Sequence, residues 1–120
     1  MAFQYLLNNL LVDVPGAQGA VFLDSEGESV EFVSRRATPY ELKLEGAYHG
    51  IFLRKAARLA SLIEGGDLER LSINGTQMQV MSRAHKDGYY LVLVMEPGAS
   101  VALAGEALAK ASVDFNREIP

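Results

Sequence analysis

The chain has 120 residues, 49% hydrophobic and 22% charged, and its 11 Lys+Arg against 15 Asp+Glu give a net charge of -4. That is enough for one packed core, expected as a single domain over residues 1 to 120, while the acidic balance argues against nucleic acid as a partner, since phosphate backbones demand a concentrated positive field. No cysteine is present, which removes disulfides, thiolate metal sites and cysteine nucleophiles together.

In chain order, Phe3, Leu6, Leu7, Leu10, Leu11 and Val14 form the stripe of an amphipathic helix, which Pro15-Gly16 ends. This segment lacks a basic leader and is broken by Asn8, Asn9 and Asp13. It reads as neither a signal peptide nor a membrane span, so no membrane insertion and a cytoplasmic location are expected. Ala20 to Leu23 is a continuous apolar run, and Ser29 to Ser34 alternates beyond the turn Asp24-Ser25-Glu26-Gly27, which predicts a hairpin. Thr38-Pro39-Tyr40-Glu41 supplies an N-cap, a first-turn proline and a capping-box Glu for a long helix that runs to Gly65-Gly66. Leu68 to Ile73 and Thr76 to Arg83 flank Asn74-Gly75, a two-residue hairpin signal. Lys86-Asp87-Gly88 is a further tight turn, and Tyr89 to Met95 is apolar throughout, as a central strand covered on both faces must be. After Pro97-Gly98, a last helix carries Ala104, Leu108, Ala111 and Phe115 on one stripe. The class is α+β, with a largely antiparallel sheet covered by helices on both faces.

Chemistry is hard to assemble from these residues. His49 and His85 lie far apart with no HExxH-type pair, so no metal site is expected. No serine sits in a G-x-S-x-G elbow. Gly16-Ala17-Gln18-Gly19 follows a helix and precedes a strand, the reverse of a phosphate loop. Neither catalytic residues nor a cofactor are expected.

The long helix is more informative. At about 100° per residue its positions fall into three arcs. Leu44, Tyr48, Ile51, Phe52, Leu59, Leu62 and Ile63 form a bulky arc, expected to lie on the sheet. Gly46, Gly50, Leu53, Ala57, Ala60 and Glu64 form a mostly small arc with the spacing of a helix seam. Lys43, Ala47, Arg54, Arg58 and Ser61 form a polar, basic arc. A glycine inside a helix costs about 1 kcal/mol relative to alanine, so two on one line call for a close approach that compensates. The object approached is either a terminal helix or loop of the same chain, or the same helix of a second copy.

The order helix, two strands, long helix, three strands, helix, with Val14-Pro15-Gly16-Ala17-Gln18-Gly19-Ala20-Val21-Phe22-Leu23-Asp24 leading to Gly27, then Gly65-Gly66-Asp67-Leu68 and Tyr89 to Val94, resembles the roadblock / dynein light chain family and its bacterial MglB-like members. The resemblance covers nearly the whole chain. It implies a profilin-like sandwich: a five-stranded antiparallel sheet in the order 2-1-5-4-3, with the long helix on one face and the two terminal helices on the other. It further implies a homodimer through the long helix and the third strand, which here would use Gly46, Gly50, Leu53, Ala57 and Ala60 together with Leu71 and Ile73. The implied partner is a small Ras-like GTPase whose hydrolysis the dimer could stimulate, with Lys43, Arg54, Arg58 and Ser61 as the inferred contact. A scaffold or light-chain adaptor for a non-GTPase partner is the alternative. A ligand sensor with a pocket between sheet and helix is a third reading, for which the sequence offers no convergent polar set.

Overall fold

The computed structural model describes the backbone of residues 2–35 and 39–120 and the side chains of 3–35 and 48–120. The elements are α1 (Ala2–Asp13), β1 (Ala17–Leu23), β2 (Ser29–Ser34), α2 (Pro39–Leu62), β3 (Arg70–Asn74), β4 (Gln79–Ala84), a short 3-10 turn (Lys86–Gly88), β5 (Tyr90–Met95) and α3 (Val101–Glu118). One antiparallel sheet holds all five strands in the order β2-β1-β5-β4-β3. The class expected from the residues and the strand order that the resemblance implies are those observed. The expected Thr38 cap of α2 lies outside the described residues, as do the side chains of Lys43, Leu44, Gly46 and Ala47.

Strand β5 is central and fully buried, because its two faces serve two separate cores. Leu91, Leu93 and Met95 join Leu7, Leu10 and Leu11 of α1 and Leu108 and Phe115 of α3 on one side. Tyr90, Val92 and Val94 join Val21, Leu23 and Leu53 on the other, beneath α2. Period-two alternation in a strand thus sorts one apolar run into two layers.

Loop chemistry explains most of the connections. Asp24 turns the first hairpin by accepting the backbone N–H groups of Glu26 and Glu28 at 2.9 and 3.0 Å, and Gly27 supplies a φ of 85°. Ser100 caps α3 by accepting the Leu103 N–H at 3.2 Å. Two expectations need correcting. Helix α2 stops before its glycines: Glu64 takes the left-handed conformation, while the Glu64 and Gly65 N–H groups return to the carbonyls of Ser61 and Ala60 in a Schellman closure. The β3–β4 loop is four residues, not two, since Asn74 pairs with Gln79 and Gly75 donates to Met78. Gln79 also pins the turn after β5, with its amide nitrogen 2.7 to 3.0 Å from the carbonyls of Glu96, Pro97 and Ala99. Among the described residues no helix is long and apolar enough to cross a membrane.

Both histidines are buried. His85 donates from Nδ1 to the Arg83 carbonyl at 3.1 Å and sits edge-on to Phe22 and Phe115, and its buried Nε2 has no hydrogen-bond partner among the described residues. His49 on α2 shares a 2.7 Å hydrogen bond with Ser82 of β4. Burial pushes both imidazoles below their usual value; for His85 the backbone bond opposes that shift and the Arg83 charge adds to it. The unfolded chain therefore takes up protons at a higher pH than the folded one, so this stability is complete above about pH 6.5 and declines as pH falls below it. The urea midpoint should be lower at pH 5.5 than at pH 7.5, and His85→Phe should shrink that difference; an unchanged difference would place the acid sensitivity elsewhere.

Candidate interaction surface on the long helix

The sheet face beneath α2 is already filled by large side chains of its own: Tyr90, Val92, Val94, Val21 and Leu23, with Phe32, Leu71 and Val80 beside them. A helix can sit close on such a face only through small residues. Gly50 is the contact point. A Cβ there would fall within 2.6 Å of the Tyr90 ring carbon that carries the hydroxyl, and closer still to the hydroxyl itself. His49, the residue before it, and Leu53, nearly one turn after it, are also buried, at 4% and 6% exposure.

This placement corrects the arc assignment made from the sequence. Gly50 and Leu53 face the chain's own sheet. Ala57 and Ala60 flank the same downward face, exposed and half-buried respectively. The residues expected on the sheet point the other way: Tyr48, Ile51, Phe52, Leu59, Leu62 and Ile63 are 40 to 72% exposed. Both arcs are apolar, so helical spacing alone could not say which one lies down. The missed signal was size: the sheet face brings the bulk, and the helix must supply the gaps.

The polar flank is found where the angular reading put it. Arg54, Arg58 and Ser61 are exposed between the buried face and the outward stripe. Arg54 lies beside the Tyr90 hydroxyl: burial raises the Tyr90 pKa, the Arg54 charge counteracts the rise and the Asp24 charge adds to it. Leu71 is half-buried under α2, whereas Ile73 is 42% exposed toward the free end of edge strand β3. Sequence reasoning missed the Tyr90 contact and the His49–Ser82 bond. Tyrosine in a buried strand and glycine in a helix were both visible, but pairing them requires knowing the register of helix on sheet.

Gly50 gives a direct test of this seating. Alanine is the better helix former by about 1 kcal/mol, yet forcing a methyl into the Tyr90 ring costs about 1–3 kcal/mol of overpacking. Gly50→Ala should therefore lower stability in urea unfolding, and the loss should vanish in a Tyr90→Leu background. Equal losses in both backgrounds would mean that Tyr90 is not what excludes a side chain.

No family model matches the sequence, and no curated protein does either. Solved structures do match in shape. The Roadblock/LC7 domain from Streptomyces avermitilis is 19% identical, with a TM-score of 0.81 over 94% of this chain and 93% of that one. The gliding protein MglB from Thermus thermophilus is also 19% identical, with a TM-score of 0.85 over 97% of this chain and 87% of that one. An MglB structure with a tetrameric arrangement gives 19% identity and a TM-score of 0.84 over 97% and 85%. The chain has the roadblock/LC7 fold, with the element order and sheet topology that its sequence resemblance implied.

Proposed function

We propose that this chain belongs to the roadblock / dynein light chain family as an MglB-like member, and works in the cytoplasm as a non-enzymatic homodimer that binds a small Ras-like GTPase. The dimer contributes no chemistry of its own and stimulates hydrolysis by positioning the GTPase's own residues. One observation carries the self-association: the stripe from Tyr48 to Ile63 on the outer side of α2, six large apolar residues all at least 40% exposed. Contiguous apolar surface of this kind marks an interface. A second copy related by a two-fold axis presents the identical stripe, which is self-complementary in kind.

The proposed seam is thus the outward arc of α2, continued by Ile73 on the β3 edge, rather than the small arc. Gly46 lies outside the described side chains. Ala57 and Ala60 border the seam's sheet side. The flank of Arg54, Arg58 and Ser61, with Lys43 beyond the described side chains, is left for the GTPase; exposed arginines of this sort anchor acidic partner surfaces. The resemblance supports the GTPase reading, as does the shared fold with gliding protein MglB.

Leu59→Glu places a charge at the centre of the stripe without touching the sheet-facing side. It should leave the circular dichroism spectrum unchanged while weakening self-association in sedimentation equilibrium by about 30-fold or more, the scale of an interface hot spot. A variant that still dimerises like the parent would move the interface off this face. For the partner, GTP turnover by a small Ras-like GTPase of the same cell should rise on adding the protein and fall back with Arg58→Glu. Binding without acceleration would make the protein a scaffold or adaptor; no binding would remove the GTPase reading.

A further inference from the structure

The close seating of α2 leaves a cavity beside it. Beside Gly50, where the helix carries Ala57 in place of a larger side chain, a space of about 210 Å3 opens between α2 and the turn end of the sheet. Leu53 and Leu68 give it apolar walls, and its polar lining is the Tyr90 hydroxyl with the Arg54 guanidinium beside it, together with Ser25 and His85.

We propose that this cavity binds a small apolar monocarboxylate, an aromatic or short aliphatic acid, with its body between Leu53 and Leu68 and its carboxylate on Arg54. Three features fix that chemistry. Size comes first: an apolar protein cavity of roughly 150 Å3 accepts one benzene, so 210 Å3 accommodates a ring or short chain with an acid group attached. Second is the pairing of an apolar body with one cationic fork, which matches a carboxylate in two parallel hydrogen bonds. Third, the fork has charge to spare. Among the described residues Arg54 has no carboxylate within ion-pair distance, and the nearby Asp24 already accepts two backbone N–H groups from its own turn.

Position makes the site independent of the proposed dimer. Gly50, Arg54 and Ala57 lie on the flank of α2 next to the sheet, away from the outward stripe of Phe52 and Leu59, so the cavity mouth stays open in a pair joined by that stripe. The third reading considered from the sequence lacked a convergent polar set. Arg54 and Tyr90 supply one, from elements 36 positions apart in the chain.

The test is an amide NMR titration of the full chain with phenylacetate, and with phenylacetamide as the uncharged control. For an acid of this size a Kd of about 1 mM is expected, with shifts centred on Gly50, Leu53 and Leu68. The amide should bind at least about fivefold more weakly, since it lacks the charge that Arg54 recognises. Ala57→Leu, which fills the cavity from an exposed helix position, should abolish the shifts while the rest of the spectrum is retained. Arg54→Gln should reduce phenylacetate to the level of the amide. Equal binding of acid and amide, shifts centred elsewhere, or undiminished binding by the Ala57→Leu protein would each overturn the proposal.

Discussion

Everything distinctive about the molecule depends on how closely α2 sits on the sheet, and that distance is set where the Tyr90 hydroxyl lies beneath Gly50. Tyrosine in a central strand must find a partner for its hydroxyl when buried. Here the hydroxyl reaches the helix, lies beside Arg54 and occupies the volume that any side chain at position 50 would need. The helix is left with a thin underside of Gly50, Leu53, Ala57 and Ala60, and its large apolar residues have only the outer side to occupy.

The two faces of the sheet are therefore built on different principles. Beneath α1 and α3 the core is conventional, with Phe3, Phe22 and Phe115 in ring contact at 4.8 to 5.8 Å and leucines from both helices interlocking around them. Beneath α2 the sheet supplies most of the bulk and the helix supplies clearance, with the His49–Ser82 bond as a directional tie. That division assigns three sides to one helix. Its small side seats it, its large side is free to meet a second copy, and its basic flank carries both the proposed partner contact and the mouth of the cavity.

Much of the fold was legible in the residues. Strand parity and the unbroken apolar run at Tyr90 to Met95 announce a central strand, and the stripes of Leu7, Leu10 and Leu11 and of Leu108 and Phe115 announce one-sided helices; each rests on a local periodicity that tertiary context did not override. Loops were less legible. Asn74-Gly75 signals a two-residue turn, but pairing continued through Asn74 and made a four-residue loop. The candidate surface was half legible: the three arcs of α2 are real, yet two are apolar, and helical periodicity cannot say which of two apolar faces is down. Deciding that required the volume already occupied on the facing sheet, a property of Tyr90, Val92 and Val94 together rather than of any window of α2.

The central claim is that the outward stripe of α2 is covered by a second copy, and the absence of native cysteines allows a side-specific measurement of it. Leu59→Cys and Val113→Cys each place one thiol at an exposed apolar position, on α2 and α3 respectively, and their rates of maleimide labelling can be followed as protein concentration rises. Protection that grows with concentration at position 59 and is absent at position 113 is the expected result. Labelling at position 59 that stays as fast as at 113 up to concentrations where the chain is dimeric by sedimentation would contradict it.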